Sequence, residues 1–146
     1  MNTNRGFSLL ELLIVVAIIL IIATIAVPAL LRSRQSANES SAVANLKTIN
    51  TAEANYILSS SGNFGTVTDL MTAGLVDSRF SNPVSGYQFT ITASGPDYTA
   101  NAVPTGINTG RYGYYTVPDS VIRYATAISA TCVPCFPSGM SGQAVK

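Results

Sequence analysis

Glu11 stands alone among apolar side chains, in the stretch Phe7-Ser8-Leu9-Leu10-Glu11-Leu12-Leu13-Ile14-Val15-Val16-Ala17. A carboxylate in an apolar helix costs on the order of a few kcal/mol near the centre of a bilayer, so it is by default a functional candidate. Near a helix end it can instead reach the headgroups. The second candidate is Cys132-Val133-Pro134-Cys135. In a cytosolic βαβ setting this C-x-x-C pair points to thioredoxin-like redox chemistry. Here it follows strand-like segments, with no helix to lower a thiol pKa. The rest of the inventory narrows the field. The chain of 146 residues contains no His, which excludes a His general base, a His-containing triad and a His-ligated metal. Two Cys are too few for a four-thiolate zinc site. Charged residues make up 10% of the chain, against about 25% in ordinary soluble domains. The net charge of +1 gives no electrostatic case for nucleic acid. No catalytic residue, cofactor or metal is therefore expected.

The element that must carry Glu11 is an apolar helix. Leu12 to Leu31 contains no charge, and only Thr24 and Pro28 interrupt its aliphatic character. Twenty helical residues at about 1.5 Å each cross a hydrocarbon core of roughly 30 Å. A removed secretory signal has a shorter apolar stretch and a small-residue cleavage site. Arg32-Ser33-Arg34 follows here instead, so a retained membrane helix is expected. Arg5 on one side and Arg32 and Arg34 on the other leave its orientation undecided by charge.

The helix is expected to continue to about residue 58, since Phe7 to Ser61 contains no Gly and Pro28 alone of its kind. Ala42, Leu46, Ile49, Ala52 or Glu53, and Tyr56 form an apolar stripe at helical spacing, with Asn45, Lys47, Thr48 and Asn55 opposite. Pro28 removes one helix hydrogen bond and crowds the preceding turn, so a kink or local unwinding is expected over residues 24–28. Such a proline is also tolerated in membrane helices.

Beyond Ser59-Ser60-Ser61-Gly62-Asn63 the pattern changes. Residues 68–75 read as a short capped helix ended by Gly74. Residues 87–93, 98–103, 112–117 and 121–126 alternate or concentrate apolar residues as strands do, with turn signals between them. The expected fold is α+β: a long N-terminal helical stem packed on a small antiparallel β-meander head. Tyr112, Tyr114, Tyr115 and Tyr124 are read as strand aromatics packing between helix and sheet. The competing reading is a recognition or stacking surface. The resulting segments are a leader at 1–6, a membrane or filament-core helix at 7–31, and an amphipathic helix half at 32–58. A connecting loop with a short helix follows at 59–86, then an antiparallel sheet at 87–126 and a C-terminal loop with the C-x-x-C at 127–146.

Arg5-Gly6-Phe7-Ser8-Leu9-Leu10-Glu11, followed by the aliphatic run, resembles the N-terminus of type IV prepilins and of the related pseudopilins of type II secretion. Pro28 matches the proline that the family usually carries. The resemblance covers about residues 5–58, and beyond them it is architectural. It implies a filament subunit rather than an enzyme. A prepilin peptidase would cut between Gly6 and Phe7 and methylate the new amine of Phe7. Glu11 would pair with the Phe7 amine of a neighbouring copy, and Pro28 would mark a stretch that melts on assembly. The implied partners are further copies of the chain in a helical filament, the peptidase, membrane lipid before assembly, and an inner-membrane platform with a separate ATPase. The implied location is a single-pass bacterial inner-membrane precursor and then a surface filament. An exported chain meets an oxidising compartment, which favours a structural Cys132–Cys135 disulfide. Its four-residue loop would contribute about 2 kcal/mol. Pilins with a C-terminal disulfide usually close a much longer loop, and this departure argues against an adhesive role. The alternatives are a pseudopilin, which would be periplasmic, a minor pilin, and a membrane-anchored redox protein. The absence of Asp and Glu after Asp119 weighs against the calcium site of a major pseudopilin. The few scattered basic residues of the head weigh against DNA binding.

Overall fold

The computed structural model describes residues 7–126 and 142–145. The leader and the Cys132/Cys135 pair lie outside the described residues. The chain divides into two units, residues 1–33 and 34–146. The helix α1, Leu9–Ser59, contributes to both.

Ala, Leu and Ile, good helix formers in series without glycine, give α1 its length. Ser61 and Gly62, both at positive φ (57° and 85°), end it by turning the chain into the left-handed region. The expected unwinding at residues 24–28 is absent from the single chain: α1 is unbroken through Pro28. The missing proline N–H removes one donor, that for the Thr24 carbonyl, and leaves the rest of the ladder intact. The Thr24 hydroxyl meanwhile donates to the Ile21 carbonyl at 2.7 Å.

In the second unit, α2 (Val67–Thr72) begins one residue before the expected span. Thr66 and Asp69 form a reciprocal capping box there: each side chain takes a hydrogen bond from the other residue's backbone N–H. A 3-10 turn, Ser78–Ser81, follows and places Phe80 in the core. Five antiparallel strands then form one sheet in chain order: β1 (Tyr87–Ser94), β2 (Asp97–Pro104), β3 (Tyr112–Thr116), β4 (Arg123–Thr126) and β5 (Gln143–Ala144). β1 and β2 are paired along their full length, from Tyr87 opposite Pro104 to Ser94 opposite Asp97. Their turn is Gly95-Pro96, with Gly95 at φ 61° supplying the left-handed position that a two-residue hairpin needs. Val121 and Ile122, expected in β4, precede it instead, and Ile122 accepts a hydrogen bond from the Val145 N–H.

The core forms where the stripe on α1 meets one face of the sheet. Ala42, Leu46, Ile49 and Ala52 join Tyr87, Phe89, Ile91, Tyr98, Ala100, Ala102 and Tyr114 in one buried cluster. Ala100 and Ala102 are the small, fully buried side chains of β2 on that face. The alternation of β1 and β2 puts their other side chains outward. β3 differs: Gly113, Tyr114, Tyr115 and Thr116 are all buried, so both of its faces are covered. Gly142 contributes to that cover, since a Cβ there would collide with the Tyr115 ring. Asn45 corrects the solvent-face assignment. It is buried, and its Oδ1 accepts from Arg79 Nη2 at 3.2 Å.

Candidate functional site

The first unit carries the candidate residues Phe7, Glu11 and Pro28. Ser8 immediately precedes α1, and its backbone N–H donates to Glu11 Oε2 at 3.0 Å. Ser8-x-x-Glu11 thus has the spacing of a capping box, with the Glu reaching back from the first turn. A negative charge there also complements the helix dipole. This role was written in the sequence as S-x-x-E ahead of an apolar run, a signal that the reading of Glu11 as an isolated charge passed over. The large apolar side chains around it are exposed: Phe7 is 75% exposed and Leu9 81%, and those on to Leu31 are exposed as well. The helix is long and apolar enough to cross a membrane by length and composition. Phe7 and Glu11 therefore share one end of an uncovered helix. Gly6, Cys132 and Cys135 lie outside the described residues.

The second unit distributes its polar groups differently. Glu39, nearly buried on α1, accepts from the backbone N–H of Arg111 at 2.8 Å, from Arg111 Nε at 3.1 Å and from Nη2 at 2.9 Å. Burial alone would raise its pKa, but the Arg111 hydrogen bonds and charge outweigh that and hold the carboxyl below its ordinary value. Asn50 is a buried hub. It accepts from the Tyr98 hydroxyl at 3.0 Å and donates to Thr116 Oγ1 at 3.0 Å and to the Ser120 carbonyl at 3.2 Å. Arg123 is paired with Asp119 at 2.6 Å, which keeps that carboxyl low.

Among the described residues, Glu53 has no such cation. It is fully buried, and its Oε2 accepts from the Gly65 N–H at 3.0 Å, while Oε1 is buried without a hydrogen-bond partner among those residues. Desolvation pushes its pKa up; the Gly65 hydrogen bond opposes this and the charge of Asp69 adds to it. Desolvation likewise raises the Tyr98 and Tyr114 hydroxyls to about 12. The sequence marked Glu53 as an alternative member of the apolar stripe, and the structure puts both Ala52 and Glu53 inside.

Among the clustered tyrosines, Tyr114 and Tyr115 are buried. Tyr112 and Tyr124 meet edge to face, with centroids 5.2 Å apart, beside an open cleft that Glu39 and Gln143 also line. This is mainly packing of strand aromatics. Among the described residues no group of three or more Asp, Glu, Cys or His side chains is placed to hold a metal ion.

An exposed apolar helix with one carboxylate in its first turn, followed by a head of helix on antiparallel sheet, defines a class: a subunit whose stem is completed by something outside its own chain. Comparison with known proteins agrees. The pattern described as the prokaryotic N-terminal methylation motif matches residues 1–27. The chain is 30% identical over 132 residues to the type IV wide pilus major component PilA4 of Thermus thermophilus, covering 90% of this chain and 95% of that protein. It is 47% identical over 53 residues to the type IV major pilin protein PilA of Myxococcus xanthus, a match that covers 36% of this chain but 24% of that protein. No solved structure matches the chain significantly. The chain belongs to the type IV pilin family. It is a structural protein and not an enzyme.

Proposed function

We propose that the chain is the major subunit of a type IV pilus. It is made as a membrane precursor, cut by a prepilin peptidase between Gly6 and Phe7, methylated on the Phe7 amine, and polymerised through α1. The observation that carries this reading is the continuous exposure of the apolar side chains from Phe7 to Leu31, with Glu11 as the one charge among them. Fully burying each Leu, Ile or Val contributes about 1.5–3 kcal/mol. Among the described residues none covers these side chains, so lipid supplies that burial first and neighbouring copies afterwards. The two relatives named as major pilins support the choice of major over minor subunit.

Glu11 gains its partner in the same step. In the single chain its carboxylate caps the helix from an exposed position. In a bundle of apolar helices water no longer screens it, and the Phe7 amine of an adjacent copy is the available cation. An uncompensated buried charge costs about 3–5 kcal/mol, so the pair selects one register between copies more than it adds stability. Pro28, whose neighbourhood already lacks one hydrogen bond, is where the stem lengthens if the filament requires it. Motor ATPase, platform and peptidase act on the subunit from outside.

Mass spectrometry of sheared surface filaments tests the whole reading. The expected subunit lacks Met1–Gly6 and bears one methyl on Phe7. Recovery of the chain solely as an unprocessed monomer in the membrane would overturn it. For the register role, Glu11→Ala is expected to be processed normally and to yield few or no filaments. Normal filament yield from this variant would remove Glu11 from the assembly mechanism.

A further inference from the structure

In the second unit, Leu58 at 84% and Ile107 at 80% are the most exposed large aliphatic side chains among the described residues, and Ile107 is the one carried on a loop. It lies in the loop between β2 and β3. That loop is held in one place. Gln35 Nε2 donates to the Ile107 carbonyl at 3.1 Å, and Asn38 Nδ2 donates to the Thr109 carbonyl at 2.8 Å. Within the loop, Thr109 Oγ1 accepts from the Gly106 N–H at 3.0 Å and donates to the Gly106 carbonyl at 2.7 Å, closing a tight turn around Ile107 and Asn108. Two polar side chains of α1 thus fix a loop whose tip is a bare aliphatic residue.

The place where it is fixed gives the tip a partner. Gln35 follows the last residue of the apolar run, Leu31, by four positions. Chain reach alone keeps their Cα atoms within about 14 Å of each other. The loop is thus bonded to the segment that directly follows the apolar run in the chain. Arg34 is exposed next to Gln35, and Arg111, the last residue of the loop, has a half-exposed side chain. Aliphatic tip, small polar flanks and arginines on either side match the boundary between acyl chains and phosphate headgroups.

We propose that the Ile107 loop is a membrane-interface anchor of the precursor: Ile107 enters the acyl–headgroup boundary while Arg34 and Arg111 face the lipid phosphates. The proposal rests on the reading of α1 as membrane-inserted before assembly. A single isoleucine would not bind a bilayer from solution. The inserted helix removes that requirement, because it holds the loop at high effective concentration beside the surface. The consequence is a head with a preferred face toward the membrane before it is drawn into a filament.

The chain contains no Trp, so single-Trp variants report cleanly. The full chain is reconstituted into phosphatidylcholine–phosphatidylglycerol vesicles as Ile107→Trp, Leu58→Trp and Leu20→Trp, with acyl chains brominated near the headgroup for the first two and near the chain terminus for Leu20→Trp. Leu58 is the control for exposure, at 84%. The expected result is a blue-shifted Ile107→Trp emission quenched severalfold more than that of Leu58→Trp, with Leu20→Trp quenched as well. Equal quenching of Ile107→Trp and Leu58→Trp, with Leu20→Trp quenched, overturns the anchor and leaves the membrane helix standing. A blue shift of Ile107→Trp without bromine quenching overturns it in favour of contact with a second copy. An unquenched Leu20→Trp overturns the membrane reading and the anchor with it.

Discussion

The two halves of α1 have similar helix propensity and opposite ways of handling what they expose. Up to Ser33 the helix shows aliphatic side chains on all sides, and its one acid, Glu11, does no more within the chain than cap its own first turn. From Arg34 onward one face is buried, and Glu39, Asn45, Asn50 and Glu53 on that face bond to residues from 12 to 72 positions away. The second half is a finished interface and the first half is one side of an unfinished one. A helix that is hydrophobic all round belongs in lipid or in a bundle, whereas a striped helix belongs on its own sheet.

The largest test of this contrast is a pair of truncations. Leu46→Ala removes a fully buried side chain between helix and sheet. It is expected to lower the unfolding free energy of the detergent-solubilised subunit by about 2–5 kcal/mol. Leu20→Ala should leave that value within about 0.5 kcal/mol. Urea unfolding followed by tyrosine fluorescence measures both, and comparable losses would erase the distinction between the halves.

A smaller effect separates the two buried glutamates. Glu39→Gln is expected to lose about 1–2 kcal/mol at neutral pH, because charge-assisted hydrogen bonds from Arg111 are weakened. The native carboxyl is held low, so its contribution is present above the ordinary value of 4.5 and disappears as the pH falls through the lowered one. Glu53 has the opposite sign. With a raised folded pKa, its contribution is full below 4.5 and is lost as the pH rises through the raised value. Glu53→Gln should therefore gain on the native chain as the pH rises, and Glu39→Gln should gain as it falls. Unfolding curves from about pH 2 to pH 8 read the two differences, Glu39 below 4.5 and Glu53 above it. Parallel slopes for both variants would contradict the assigned environments.

The smallest expected change is Thr66→Ala, which removes half of the capping box of α2 and is expected to cost about 1 kcal/mol. The readout is faster amide exchange confined to residues 67–72. Faster exchange throughout the sheet would mean that α2 supports more of the head than its own turn.

Much of this arrangement was legible from local pattern. Glycine-free Ala, Leu and Ile marked α1, the 3–4 spacing from Ala42 to Tyr56 marked its buried face, and the alternation in 87–93 and 98–103 marked β1 and β2 within a residue or two. What was not legible depends on distance along the chain. Nothing near Glu39 announces Arg111, and nothing near Asn45 announces Arg79, so Asn45 was placed in solvent on polarity alone. β5 is too short for its two residues to show any alternation, and it is defined by pairing with Arg123 and Tyr124. Of the candidate site, Glu11 was legible as an anomaly and Phe7 by family resemblance. The capping role of Ser8 and Glu11 was present as a motif and needed the geometry to be noticed.

The polar contacts of the second half of α1 also set how the head would respond to a pull. Gln35, Asn38, Glu39, Asn45, Asn50 and Glu53 tie the helix to loops and strands at successive heights over 18 residues, about 27 Å of helix. Force drawn along the helix axis would load these ties side by side, in shear, rather than opening them one after another like a zipper. A head built this way yields late and abruptly, so under tension the compliance of the subunit would reside in the stem around Pro28.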